Sequence, residues 1–338
     1  MVLQKNISLR DHTTFKTGGR ARFFVSAQSI EEAKDALAFV RKQKLPLLIL
    51  GGGSNMLLLD NDFPGLALKI MWRGIVPSPY KGGTLLSTAA GENWDEVVSF
   101  AVEQGLYGIE NLSGIPGNVG AAPIQNIGAY GTELEQVLHK VEAIDLHSRK
   151  AITFTKKECR FTYRDSRFKR EPGRFLITAV HLLLANSGEL NLSYNDLSRY
   201  FRERPYAHPT LSSVRKAVLE IRAKKLPDPK VLGTAGSFFK HPIVSSDVYE
   251  TLFAEFGDLP ATATRDGQFK LSAGWLIEHV AKLKGVRVGR AGVHEHHALV
   301  LVNYGGAKAE QILSLAERIQ REVKNHTNIS LEFEVNVR

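Results

Sequence analysis

Two glycine-rich stretches carry the first hint of chemistry. Leu50-Gly51-Gly52-Gly53-Ser54-Asn55 follows a short apolar run. Without Cβ atoms a backbone can approach a ligand closely, and clustered N–H groups favour phosphate oxygens. It is not the dinucleotide fingerprint, because Met56 stands where the third glycine belongs, and no Gly-Lys-Ser/Thr follows to make a P-loop. The same residues also suit a plain turn between strands. The second stretch runs from Ser113 to Gly131, with five glycines and two prolines among residues 114–131. Gln125, Asn126 and Tyr130 lie within it and offer donors and acceptors without charge, a set suited to reading an uncharged heteroaromatic ring. A long structural connection is the alternative, but long ordered loops in compact domains are more often functional.

His294-Glu295-His296-His297 invites a metal reading. It is not the zinc-protease pattern, because Ala298 occupies the second histidine's place. Residues 294 and 296 would share one face beside the apolar run 298–302, and a polar strand end or substrate contact is the favoured reading, with no metal expected. Cys159 is the only cysteine, so neither an intrachain disulfide nor a cysteine zinc site is possible, and a reducing cytoplasm fits. The formal net charge is +9, but no run of five or more basic residues appears. An anionic small molecule is therefore favoured over nucleic acid. No apolar run approaches the ~18 residues that span a bilayer, and Met1 to Phe15 lacks the apolar core of a signal peptide. A cytoplasmic protein, with no membrane partner, is expected.

These candidates need elements to hold them. Ala21 to Ala27 reads as a strand. Ser29 and Glu32 then form a capping-box pattern, and Ile30, Ala33, Leu37 and Val40 predict a helix to about Lys44. Leu45 to Leu50 and Leu66 to Ile70 read as buried strands, Leu85 to Ala90 as another, and Asn93 caps a helix ending at Gly105. Strands follow at Lys140 to Leu146, Ala151 to Thr155 and Phe175 to Leu184. A helix from Leu211 to Lys224 stops before Leu226-Pro-Asp-Pro229, where paired prolines suggest a domain junction. The remainder mixes helices (246–256, 273–282, 307–324) with strands (299–303, 330–337). At ~150 residues per domain, 338 residues hold two or three domains. The fold class is α+β.

The two glycine loops together resemble the UDP-N-acetylenolpyruvylglucosamine reductase family, in its longer type with a tyrosine-bearing loop. Three further segments match: Cys159-Arg-Phe-Thr-Tyr-Arg-Asp-Ser166; Lys225-Leu-Pro-Asp-Pro with Gly233-Thr-Ala-Gly-Ser-Phe-Phe-Lys240; and Leu331-Glu-Phe-Glu-Val335. The resemblance implies FAD-binding α/β subdomains of the vanillyl-alcohol-oxidase type (about 1–70 and 71–225) plus a C-terminal α+β substrate-binding domain (226–338), whose last strand returns to the active site. It implies FAD contacts from Gly51, Gly52, Gly53, Ser54, Asn55, Ser113, Pro116, Gly117, Gly120, Ala121, Gln125, Asn126, Gly128, Ala129 and Tyr130. NADPH is the implied reductant and UDP-N-acetylglucosamine enolpyruvate the implied substrate, with a monomer expected.

The resemblance further makes Arg164, Ser237 and Glu334 the catalytic set. An always-charged guanidinium suits the enolate-like charge that follows hydride addition. Ser237 would deliver the proton, and Glu334 would act protonated or share its proton with the substrate carboxylate. Tyr163, Tyr194, Lys225, His241 and His297 are the implied substrate contacts. Three positions depart from the family pattern: His241 where asparagine is common, His296 and His297 where glutamine is common, and Asn336 where arginine often follows. Two other readings compete. An FAD oxidase of the same fold would not need a proton donor opposite the hydride-accepting carbon, and a non-catalytic nucleotide- or nucleic-acid-binding module would be colourless.

Overall fold

Both helix starts expected from the sequence are capped, but the Ser29–Glu32 capping box does not close, because the Glu32 carboxylate accepts from Gln28 N–H at 2.8 Å instead of from Ser29 N–H. The Ser29 side chain accepts from the Glu32 N–H at the start of Ile30–Lys42, and Asn93 accepts from Asp95 and Glu96 N–H at the start of Trp94–Glu103. The computed structural model describes residues 1–204, 208–264 and 266–338. It divides into two units, each assembled from separated stretches of chain. The first comprises 1–7, 21–52 and 63–223; the second comprises 8–20, 53–62 and 224–338.

Among the described residues, the first unit holds two main sheets. One has the strand order Gln4–Ser8, Arg20–Ala27, Phe63–Ile70, Leu47–Leu50. The last three strands run parallel, and Val25, Leu66 and Leu68 are fully buried, as a parallel sheet demands. The other is antiparallel, in the order Ala151–Thr155, Leu138–Asp145, Phe175–Leu184, Gly83–Ala89, Ile75–Tyr80. Ile75–Tyr80 carries Pro77 and Pro79 and sits at the sheet's edge, the place a strand tolerates proline. Val97, Val98 and Ala101 of the Trp94–Glu103 helix join the same core. Trp94 is buried, and its indole donates to Leu112 O at 3.0 Å. That bond fixes the entry to the long glycine loop.

The second unit is α+β. Gly233–Ser237, Val300–Asn303, Ala291–Val293 and Arg287–Val288 form an antiparallel sheet. Ala309–Thr327 packs on it through Ile312, Leu315 and Ile319. Phe15 and Leu57, from the early segments, lie in this core. Two expectations are corrected. The 330–337 run is not one strand: Phe333 bridges Phe239, and only Asn336–Val337 is regular, pairing parallel with Met56–Leu57. The 273–282 helix is a single α-turn, Ala273–Trp275, followed by a π-turn, Leu276–Val280.

Phe238 is fully buried, with its ring 6.2 Å from Phe15, 5.4 Å from Phe239 and 5.2 Å from Phe333. Phe238→Ala should lower stability by about 3–5 kcal/mol, the usual cost of deleting a core aromatic ring. A urea unfolding midpoint unchanged from the native protein would contradict this packing.

Candidate active site

In the first unit the two glycine loops meet. A Cβ at Gly52 would lie 2.8 Å from both Asn118 Oδ1 and Gly117 Cα, so only glycine permits that approach. The long loop is tied down along its length. Trp94 N–H donates to Gly117 O, Val119 N–H to Glu92 O and Gly120 N–H to Ala90 O. Ser113 is buried and its hydroxyl donates to Glu110 O at 2.6 Å. Gly114 N–H donates to Asp95 Oδ1 at 2.6 Å, and Arg215 grips the same carboxylate through both nitrogens at 2.6 and 2.9 Å. Burial alone would raise the Asp95 pKa. The Arg215 guanidinium and the Gly114 N–H outweigh it and hold the carboxyl below its ordinary value.

The far end of the loop carries Tyr130 in left-handed backbone, φ 49°. Asn111 Nδ2 donates to both Tyr130 O and Asn191 O at 2.8 Å. Tyr194 therefore sits over Tyr130, edge to face at 5.3 Å. Tyr194 stays 45% exposed at the start of Asn195–Arg202, placed to move without disturbing a core. Burial pushes the Tyr130 phenol up to about 12, with Arg222 opposing. Asn126 is a different case. It is fully buried, φ 47°, its Nδ2 donating to Glu133 Oε2 at 3.0 Å and its Oδ1 accepting from Glu135 N–H at 3.0 Å. Its side chain is thus engaged with protein groups, where the sequence reading has it facing the cofactor.

Arg164 occupies the turn between Thr162 and Asp165, with φ 54°. Its guanidinium donates to Gly128 O at 2.7 Å, and its centre lies 5.6 Å from the Tyr163 ring. Gly128 and Ala129 pair with Thr132 and Glu133, which shapes the ledge that receives it.

The second unit holds Ser237 and Glu334. Gly236, φ 74°, turns the chain into Ser237, which pairs with Val300. Glu334 N–H donates to Phe238 O at 2.8 Å, and Lys240 N–H to Glu332 O at 2.9 Å. The two segments that carry Ser237 and Glu334 therefore run side by side, although 97 positions separate the residues (334 − 237). The neighbouring Glu332 is exposed and paired to Lys240 Nζ at 2.8 Å, so the two glutamates have different surroundings. Asn55 Nδ2 donates to Glu334 O at 3.3 Å, and Asn336 donates to Asn55 O through its backbone at 3.1 Å and its Nδ2 at 3.2 Å. Asn336 thus anchors the glycine-loop residue Asn55, a role the sequence did not suggest.

His241 Nδ1 accepts from Ala273 N–H at 3.1 Å, and His297 Nδ1 accepts from Leu299 N–H at 3.3 Å. Each ring is oriented by a backbone donor. His294 is buried, its ring 5.5 Å from His296, and burial depresses its pKa. Among the described residues no group of three or more His, Cys, Asp or Glu is arranged to hold a metal. Lys225 ends the Leu211–Lys225 helix. Arg164 and Tyr194 belong to the first unit, and Ser237, Glu334, His241, His297 and Lys225 to the second.

Residues 228–338 match the family model for the C-terminal domain of UDP-N-acetylenolpyruvoylglucosamine reductase, and residues 21–149 match an FAD binding domain. The UDP-N-acetylenolpyruvoylglucosamine reductase of Pseudomonas fluorescens (strain Pf0-1) is 46% identical over 99% of both chains. That of Pseudomonas aeruginosa is 45% identical over 100% of this chain and 99% of its own. The crystal structure of the enzyme from Thermus caldophilus superposes with a TM-score of 0.68 at 27% identity, covering 99% of each chain.

Two outcomes follow from this geometry. Gly53 has φ 64°, and a Cβ there would lie 2.1 Å from His12 O. Gly53→Ala should destabilise the fold by more than ~1 kcal/mol, the cost of a side chain forced into left-handed backbone against a neighbouring carbonyl. A urea unfolding midpoint equal to the native protein's would contradict it. The depressed Asp95 pKa means that the stability contributed by its Arg215 pair is present above the ordinary aspartate range and lost as pH falls through the folded value. Asp95→Asn should therefore lower the melting temperature at neutral pH and flatten its acid dependence. A parallel offset at every pH would show that the pairing is not the titrating contribution.

Proposed function

The chain belongs to the UDP-N-acetylenolpyruvoylglucosamine reductase family, and from that premise we propose how its residues carry the reaction. The protein reduces UDP-N-acetylglucosamine enolpyruvate to UDP-N-acetylmuramate with FAD and NADPH, a step in peptidoglycan precursor synthesis. The observation that carries this is the full-length likeness to reductases of that name, joined to the FAD binding domain match.

The residues present suit FAD. The Gly52–Gly117 approach leaves a backbone-lined cradle, with Gly51, Pro116 and Ala121 on the same two loops, of the kind that receives a pyrophosphate, and Ser54 and Asn55 are assigned to the cofactor from the family likeness. Bound FAD supplies the hydride that NADPH provides. Ser113, Gln125, Gly128, Ala129 and Tyr130 would line the rest of the cofactor site.

Arg164 is assigned to the substrate carboxylate. Its charge is permanent, and its contact to Gly128 O pre-orients the guanidinium, so little reorganisation is needed as negative charge grows. Ser237 is assigned as proton donor to the carbon beside that carboxylate. Glu334, held by its backbone against Phe238 O, is assigned to share a proton with the carboxylate. Tyr163, Lys225, His241 and His297 are assigned to the substrate, with Tyr194 closing over its diphosphate. Residues 226–338 would form the substrate-binding part. The lone, buried Cys159 supports a cytoplasmic site of action. No described helix is long and apolar enough to cross a membrane.

The test separates the half-reactions. Under anaerobic conditions, Ser237→Ala should be reduced by NADPH at a native rate but reoxidised by substrate at least ~100-fold more slowly, the scale of a lost general acid. Native rates in both halves would remove Ser237 from the proton-donor role.

A further inference from the structure

The Arg164 turn is unusual in what it asks of the chain. A non-glycine residue in left-handed backbone persists only where its surroundings over-determine it. Two turn bonds, Thr162 N–H to Asp165 O and Asp165 N–H to Thr162 O, each 3.1 Å, close the loop on itself. The Arg164 carbonyl accepts from Lys169 Nζ at 3.1 Å, and Asp165 pairs with Arg170. These contacts shape the turn, and two long ones of 3.5 Å, Asn126 Nδ2 to Thr162 O and Arg164 Nη1 to Asn126 O, bring it to the long glycine loop without a short bond from its own backbone.

Ser166 supplies the link. It is fully buried, and its hydroxyl donates to Ile124 O, inside the loop, at 2.7 Å. The same oxygen accepts from Phe168 N–H at 3.1 Å and Lys169 N–H at 3.3 Å, capping the helical turn Arg167–Arg170. One donor and two acceptor sites make up a hydroxyl's full capacity. Ser166 therefore joins the turn before it, the helix after it and the Ile124 carbonyl at one atom. Two residues earlier, Arg164 reaches Gly128 O in that same loop. The chain thus meets the loop through both side chains, with the longer contacts to Asn126 beside them.

We propose that Ser166 is a positioning residue for the reductase reaction: its bond to Ile124 O holds the Arg164 turn in register with the cofactor loop, so that the guanidinium faces the substrate carboxylate. This rests on the assignment of Arg164 made above. Ser166 does not touch the reacting atoms; it acts through Arg164. Its loss lets the turn relax towards ordinary backbone and carries the guanidinium off its ledge, and small misplacements of an orienting group reduce rate steeply.

The experiment is a double-mutant cycle read in the two half-reactions of the FAD-loaded enzyme. Ser166→Ala should keep its flavin content and its reduction by NADPH within about twofold of native, while reoxidation by UDP-N-acetylglucosamine enolpyruvate slows roughly 10- to 100-fold. In an Arg164→Ala background the same change should add less than about twofold, because the two residues act as one unit. Ser166→Gly is the second variant: it removes the same oxygen, but a helix start tolerates glycine at its N-cap far better than alanine, so a slowing shared by both variants is not a helix-start defect, and reoxidation should slow as in Ser166→Ala. Native reoxidation in either variant overturns the proposal, as does an undiminished effect in the Arg164→Ala background or an equal fall in both half-reactions. If Arg164→Ala alone reoxidises normally, the assignment of Arg164 fails first, and the staple loses its purpose with it.

Discussion

The last stretch of chain in the second unit changes partner as it runs. Glu332 O and Glu334 N–H face the 238–240 backbone; two residues later Asn336 N–H turns to Asn55 O, and Arg338 N–H reaches Leu57 O at 3.0 Å. Glu334 sits at the hand-over between two ladders, which is why no continuous strand forms there. A residue fixed by bonds on either side of it has little freedom to move. A backbone so constrained fixes the point from which the Glu334 side chain starts, which the proposed shared-proton role would require. Asn55 completes the arrangement by donating to Glu334 O, so a residue of the first glycine loop and Glu334 are parts of one hydrogen-bonded group.

Much of this was legible in the residues. Ser29 with Glu32, and Asn93 before Trp94, announce helix starts because the cap chemistry is local, and the structure forms both. The glycine loops stand out because so many unrestrained positions are unfavourable unless a path requires them. Ile75–Tyr80 was missed, since two prolines argue against a strand, and only its edge position removes the objection. The supports of the site were hidden for another reason. Asp95 and Arg215 lie 120 positions apart, and Asn111 and Asn191 lie 80 apart, so no local pattern betrays them. Asn126 reads as a ligand group from its type, and its side-chain bonds to Glu133 and to the Glu135 N–H have no signature in the local sequence.

Other residues with reactive side chains have been put to structural use. Burial pushes the Cys159 thiol up to about 12, so it carries no thiolate near neutral pH. Ser87 Oγ lies 2.8 Å from His181 Nδ1, and His181 Nε2 lies 3.1 Å from Glu142 Oε1. The order imitates a nucleophile, base and acid. The three residues, however, stand on neighbouring strands of one sheet, where Ser87 is paired on both sides, with Val76 and with His181. A nucleophile there lacks the converging N–H donors that acyl transfer needs, and burial holds the imidazole pKa below its ordinary value. The row is cross-strand pairing of polar side chains.

The discontinuous make-up of the second unit has a consequence for how the protein comes off the ribosome. Segments 8–20 and 53–62 emerge early but belong with 224–338, which emerges last. At about 5–20 residues per second, residue 62 precedes the final residue by roughly 15 to 55 seconds. Until residues 224–338 begin to follow, Phe15 and Leu57, both fully enclosed in the finished core, lack most of the residues that cover them. The nascent chain therefore displays greasy early segments for most of its own synthesis, a natural target for chaperones that hold unfolded chains.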